Sequence, residues 1–113
     1  MSDIKPAGQL PQAVLQETAG VFAMLSAPIR VQILLLLGLG GRDVGTLASE
    51  TGETMATVSH HLGKLKLAGL VNVQRHGRRR VYVATDSEVI DVVRAIIASR
   101  QHLPQARIAS GHD

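Results

Sequence analysis

Residues Thr54 to Gly69 read TMATVSHHLGKLKLAG. Val58, Leu62, Leu65 and the Ala68–Gly69 step recur three or four residues apart, which places them on one face of a helix. The other face carries Thr57, Ser59, His60, His61, Lys64 and Lys66, all hydrogen-bonding or basic. From Thr54 to Thr85 there is no Asp or Glu, although six of the twelve Lys and Arg residues and three of the five His lie there. An ordinary solvated helix mixes carboxylates among its lysines. A helix with one apolar face and one polar, acid-free face is suited to sit on a protein core and against a polyanion.

The flanks give this helix its context. Val44 to Glu50 reads as a short helix with Val44, Leu47 and Ala48 inward, and Thr51-Gly52-Glu53-Thr54 reads as a turn that ends on a Thr cap. Two short helices joined by a Gly-containing turn are a helix-turn-helix signature, with Thr54–Gly69 as its recognition helix. After Gly69 the period changes to two: Leu70, Val71 and Val73 alternate with Asn72 and Gln74, and Val81, Tyr82 and Val83 follow. Between these runs lie Arg75-His76-Gly77-Arg78-Arg79-Arg80, the connection of a β-hairpin carrying four arginines. A solvated loop charged for solubility is the simpler reading of that cluster, but its position just after the recognition helix makes it a wing.

The N-terminal half is apolar. Gln12 to Leu25 is helical in pattern, with Val14, Leu15, Ala19, Val21, Phe22 and Leu25 forming a broad face. Ser26 is expected to cap the next helix, with Pro28 in its first turn. Ile29 to Leu39 is apolar nearly all round and belongs at the centre of the fold; Gly38, Gly40 and Gly41 end it. Asp43-Val44 is expected to be briefly extended. Asp86 to His102 is helical again, capped by Asp86 or Ser87, with Glu88 favourable to the helix dipole. Val89, Ile90, Val92, Val93, Ile96 and Ile97 cover well over half its circumference. A small core cannot bury that face and the first helix's face together. The pattern therefore predicts a homodimer through the first and last helices, with Val14, Val21, Val89, Val93, Ile96 and Ile97 at the interface. The expected fold is mainly α with a small β-hairpin, a winged helix-turn-helix of order α-α-α-α-β-β-α. It comprises an irregular arm over residues 1–11, one domain over 12–102 and a flexible tail over 103–113.

Composition narrows the function. A chain of 113 residues at 45% hydrophobic content is one small domain with a real core. The formal charge is +3 and the pI near 10.0. There is no cysteine, which excludes disulfides, thiolate metal sites, Cys nucleophiles and thiol redox switching. Met1 to Pro11 shows no signal sequence, and the greasiest run, Val31 to Leu39, is far shorter than the about 20 residues a bilayer span needs. A cytoplasmic protein without membrane contact is the expectation. One Phe, one Tyr and no Trp leave no stacking platform for single strands, so the partner is duplex DNA. No enzymatic constellation is present. The Gly38–Gly41 cluster follows a helix and lacks the Lys-Ser/Thr of a phosphate loop, and the adjacent His60 and His61 point about 100° apart.

The sequence resembles the ArsR-type (arsenic-repressor-like) family of bacterial winged-helix repressors. The resemblance is carried by Leu25-Ser26-Ala27-Pro28-Ile29-Arg30 with Ile33-Leu34, by Val58-Ser59-His60-His61-Leu62-Gly63-Lys64-Leu65, by Ala68-Gly69-Leu70-Val71 and by the wing from Arg75 to Val83. It covers about residues 14–100 and implies a homodimeric repressor that leaves its operator when an effector binds. The family's Cys-x-Cys metal site is replaced by Asp43-Val44-Gly45. Of its last-helix ligands, Asp86 and His102 match, whereas Glu88 and Ser99 depart. Asp86, Glu88 and His102, with tail His112, would be the ligands of a nickel or cobalt sensor. The simpler roles are a helix N-terminus and surface histidines, so no metal or other cofactor is assigned and the effector is unknown. The expected DNA contacts are Thr54, Thr57, Ser59, His60, His61, Lys64 and Lys66 on the helix and Arg75, His76, Arg78, Arg79 and Arg80 on the wing. A winged helix used only for protein contacts is the alternative of another class.

Overall fold

Burial of a single helix organises the chain. In the computed structural model, which describes residues 6–101, α2 (Pro28–Leu39) places Ile33, Leu34 and Leu37 in the centre of the core. Pro28 occupies its first turn, where the missing N–H costs nothing. Ser26 does not cap α2 as the sequence suggests. Its hydroxyl donates back to the Ala23 carbonyl (2.7 Å), and Ala27 holds the N-cap position without a side-chain bond. Ser26 therefore closes α1 (Gln12–Met24), the helix ahead of it.

A short 3-10 turn, Ala7–Gln9, stands where the sequence shows only an irregular arm. α3 (Val44–Thr51) starts one residue after Asp43, whose Oδ1 accepts from the Thr46 N–H (2.8 Å). The extended piece is Arg42-Asp43, with Val44 already helical: Asp43 has φ −83° and ψ 170°, and Arg42 and Tyr82 exchange both backbone hydrogen bonds (3.0 and 2.8 Å). α4 (Met55–Leu67) ends in a Schellman motif, with the Gly69 N–H on the Lys66 carbonyl and the Leu70 N–H on the Leu65 carbonyl, both 3.0 Å. Gly69 reaches φ 77°, a left-handed conformation that side chains resist. Leu70, not Ala68, carries the buried face onward; Ala68 is exposed.

β1 (Val71–His76) and β2 (Arg79–Ala84) form an antiparallel hairpin in the register Val71↔Ala84 to His76↔Arg79. α5 (Ser87–Gln101) is capped by Asp86, whose Oδ1 accepts from the N–H groups of Glu88 (3.0 Å) and Val89 (3.2 Å). It packs on α2 through Ile90 and Val93. The five helices and the hairpin make a winged helix-turn-helix. Among the described residues no single helix is long and apolar enough to cross a membrane.

Two expectations about the first and last helices change. Val93 is only 5% exposed within one subunit, so it belongs to the subunit's own core and not to an outer contact. The exposed apolar band is instead Val14, Leu15 and Phe22 (54%) of α1 with Val92 (47%) and Ile96 (48%) of α5. Val21, Val89 and Ile97 are half-buried at its edge.

The base of the wing is tight. A Cβ on Gly41 would stand 2.6 Å from Val81 Cγ1 and 3.3 Å from the Tyr82 carbonyl, and a β-branched side chain has little room to yield. Gly41→Ala is expected to destabilise the protein by about 1–3 kcal/mol, as overpacking does. Thermal unfolding with the melting temperature unchanged would contradict it.

Candidate nucleic-acid interface

The apolar face of α4 decides what its other face can do. Val58, Leu62 and Leu65 are wholly buried in one cluster with Leu47 and Ala48 of α3 and with the α2 leucines. This seats α3 and α4 as a helix-turn-helix around Gly52. Ser59, His60, Gly63, Lys64 and Lys66 are consequently exposed. Thr54 is the N-cap: its Oγ1 accepts from the Thr57 N–H (3.1 Å) and its hydroxyl donates to Thr57 Oγ1 (2.9 Å). Both threonines are partly committed to holding the first turn, and Thr57 is half-buried.

His61 stands differently from His60. The rings meet edge to face, with centroids 5.2 Å apart, but His61 is half-buried and its Nδ1 lies 3.2 Å from Arg30 Nη1. Burial lowers its pKa below the ordinary 6.5, and the charges of Arg30, His60 and Lys64 lower it further. Burial and these flanking charges therefore favour the neutral ring over the cation.

The wing divides its arginines. The register sets Arg75 directly across from Arg80, and His76 across from Arg79. Arg79 is tied to Asp43, the cap of α3, at 3.0 Å. That carboxylate is held below its ordinary pKa by the Thr46 backbone N–H first, then by the Thr46 side chain and Arg79. Arg80 lies over the Tyr82 ring, 5.9 Å from its centroid. His76 pairs with Gln74 of its own strand, Nε2 to Oε1 at 3.2 Å. Among the described residues Lys64, Lys66, Arg75, Arg78 and Arg80 make no ion pair.

The structure thus brings Thr54, Ser59, His60, Lys64 and Lys66 onto one exposed helix face and leaves Arg75, Arg78 and Arg80 unpaired on the adjoining hairpin. It sets Arg79 and His61 partly aside, each bound to a neighbour. Two residues escape the sequence reading. Met55, 57% exposed in the first turn of α4, lines a groove with Asp43, Val44, Gly45, Arg78 and Arg80. Its place one residue after the cap, outside the apolar repeat, is the available signal. Arg30 is a polar interruption in α2, and nothing local marks its partner 31 residues away.

Of the possible metal ligands, Asp86 and Glu88 lie among the described residues. Asp86 is engaged as the α5 cap, while Glu88 is exposed and lines a groove between α1 and α5. His102 and His112 lie outside the described residues. Among the described residues no three His, Asp or Glu side chains form a metal-binding group.

Comparison with known proteins extends this picture. A family model described as a helix-turn-helix domain matches residues 25–74. The transcriptional regulator Rv0324 of Mycobacterium tuberculosis is 33% identical over 99 residues, covering 87% of this chain and 44% of that protein. The transcriptional repressor SmtB of the same species is 32% identical over 88 residues, covering 78% of this chain and 65% of that one. The chain thus spans less than two thirds of the length of these two relatives. The homodimeric winged helix-turn-helix DNA-binding domain of Mb0332 from Mycobacterium bovis, described as a possible ArsR-family transcriptional regulator, superposes with a TM-score of 0.73. It is 34% identical, over 85% of this chain and 91% of that domain.

The cap offers a test of the helix that carries the interface. Thr54→Ala is expected to cost about 1 kcal/mol, and Thr54→Ser only a fraction of that, because serine keeps the oxygen that accepts from Thr57. Equal melting temperatures for Thr54→Ala and wild type would show that the cap does not hold α4.

Proposed function

The chain belongs to the ArsR-type family of winged helix-turn-helix transcriptional regulators, and we propose that it is a homodimeric repressor that binds duplex operator DNA and leaves it when an effector binds. One observation carries the reading. Five cations that make no ion pair among the described residues, Lys64, Lys66, Arg75, Arg78 and Arg80, stand beside hydroxyl and imidazole groups in a stretch of sequence, Thr54 to Thr85, that has no carboxylate. Arg75 directly opposite Arg80 is a like-charge pair, which costs stability unless an anion lies between or near the two. Phosphates supply that anion.

In this reading α4 enters the major groove. Ser59 and His60, with Thr57 and His61 behind them, reach base edges. Thr54 touches a phosphate while capping the helix, and Lys64, Lys66 and the wing arginines fix the register on the backbone. Arg79 holds the wing against α3 through Asp43 and reaches phosphate less freely than Arg78 or Arg80. The exposed band of α1 and α5 pairs two subunits, which places two recognition helices on successive half-sites.

If each subunit neutralises three or four phosphates, log K against log salt should have a slope of roughly −5 to −7. Arg78→Ala with Arg80→Ala should weaken binding to selected and random duplexes alike and flatten that slope, whereas Arg79→Ala should change it less. A slope near zero, or no preference for duplex over free strands, overturns the DNA-binding reading. A double variant that binds like wild type makes the arginines solubility charges.

The subunit contact is tested separately. Ile96→Asp puts a carboxylate in the exposed band and should give folded monomers with little operator affinity by sedimentation. Val93→Asp should unfold the chain instead, because that carboxylate would be buried within one subunit. An Ile96→Asp protein that remains a dimer would place the contact elsewhere.

A further inference from the structure

Arg30 links three helices. It is half-buried in the first turn of α2, its Nε donates to the Met24 carbonyl at the end of α1 (2.6 Å), and its Nη1 lies 3.2 Å from His61 Nδ1 on α4. A guanidinium carries no acceptor, so His61 Nδ1 must accept, and the ring's proton sits on Nε2. Nε2–H is then the one donor the ring can offer to an acceptor outside the protein.

Resting on the DNA-binding reading above, we infer that Arg30 is a positioning residue for operator recognition, holding His61 as a neutral Nε2–H donor and fixing α4 against the corner where α1 meets α2. That corner adjoins the band proposed for the subunit contact, so the pair ties the reading helix to the dimer. Protonation of His61 removes the acceptor and sets two cations side by side, and the link cannot survive it. The charged and titratable groups facing His61 are Arg30 on α2, His60 and Lys64 on α4, and Glu53 in the turn before it. Burial and the first three hold the ring neutral, and only Glu53 favours the cation. α1 contributes an uncharged carbonyl, bonded to Arg30. Specific affinity is therefore expected to fall with acidification, while phosphate-driven affinity for random DNA does not.

The experiment uses the full chain, a duplex selected by the wild type from a random library, and the unselected pool. The ratio of the two affinities is measured from about pH 5 to about pH 8, the range where histidines titrate. The wild-type ratio should fall on acidification. His61→Gln, whose amide accepts from Arg30 and does not titrate, should flatten the profile, whatever its ratio at about pH 8. Arg30→Gln should lower the ratio about tenfold, and Arg30→Gln with His61→Ala should be no worse than either alone, as coupled neighbours behave. In the free protein, NMR should show His61 titrating below the ordinary histidine value and moving up in Arg30→Gln. Additive losses, or a wild-type profile as flat as that of His61→Gln, overturn the positioning role. So does a His61 titration that Arg30→Gln leaves unmoved, and this result does not depend on DNA. Failure of the wild type to prefer duplex overturns the DNA-binding reading and the positioning role together. The His61→Gln profile decides the matter even where Arg30→Gln does not fold.

Discussion

Val58, Leu62 and Leu65 of α4 share one enclosed cluster with Ile33, Leu34 and Leu37 of α2 and with Leu47 of α3. Each is a branched aliphatic side chain whose burial is worth about 1.5–3 kcal/mol relative to exposure. Rotating α4 by even one residue would take all three from the core and put Ser59 or Lys66 in their place. The orientation of the polar face is therefore a by-product of packing. Thr54 and Thr57 bond each other and His61 meets Arg30, but Ser59, His60, Lys64 and Lys66 are left exposed for an external partner.

Electrostatics refine what packing sets. Two arginines that brace the fold are ion-paired: Arg42 with Glu50 at 2.7 Å beside the bridge to Tyr82, and Arg79 with Asp43 at the start of α3. Among the described residues, five of the seven Lys and Arg residues that make no ion pair stand on α4 and the wing. Surface ion pairs contribute little to stability, so the distribution matters more for binding than for folding. Of the wing's four arginines, Arg79 is ion-paired to α3, whereas Arg75, Arg78 and Arg80 make no ion pair among the described residues.

The helices, the turn and the hairpin were legible because their signals are local. The repeat of Val58, Leu62 and Leu65, the Thr54 cap, Gly69 and the alternation after it each lie within a few residues of what they specify. Asp86 was readable as a cap for the same reason. Ser26 misled because a serine between two helices can serve either, and its hydroxyl found the earlier helix's carbonyl. Val93 misled because a helix apolar over most of its circumference does not say which side meets its own subunit. The pairs Arg79–Asp43 and Arg30–His61 join residues 36 and 31 positions apart, and no periodicity encodes them. Hence the candidate surface was visible as a composition, while its division into free and engaged groups was not.

The Schellman turn at Gly69 leaves almost no chain between α4 and β1, since Leu70 both closes the helix and enters the core. Thr85 bonds the Leu70 carbonyl from the far end of the hairpin, and Arg42 clamps β2 from the side. Helix and wing are accordingly one stiff caliper with a set gap. On the proposed mode of binding, a duplex would have to match that gap along its backbone, and one whose local groove width differs would deform at an energetic cost. Base pairs that no side chain touches would then influence affinity through their flexibility, so that the protein gauges the shape of its site as well as its letters.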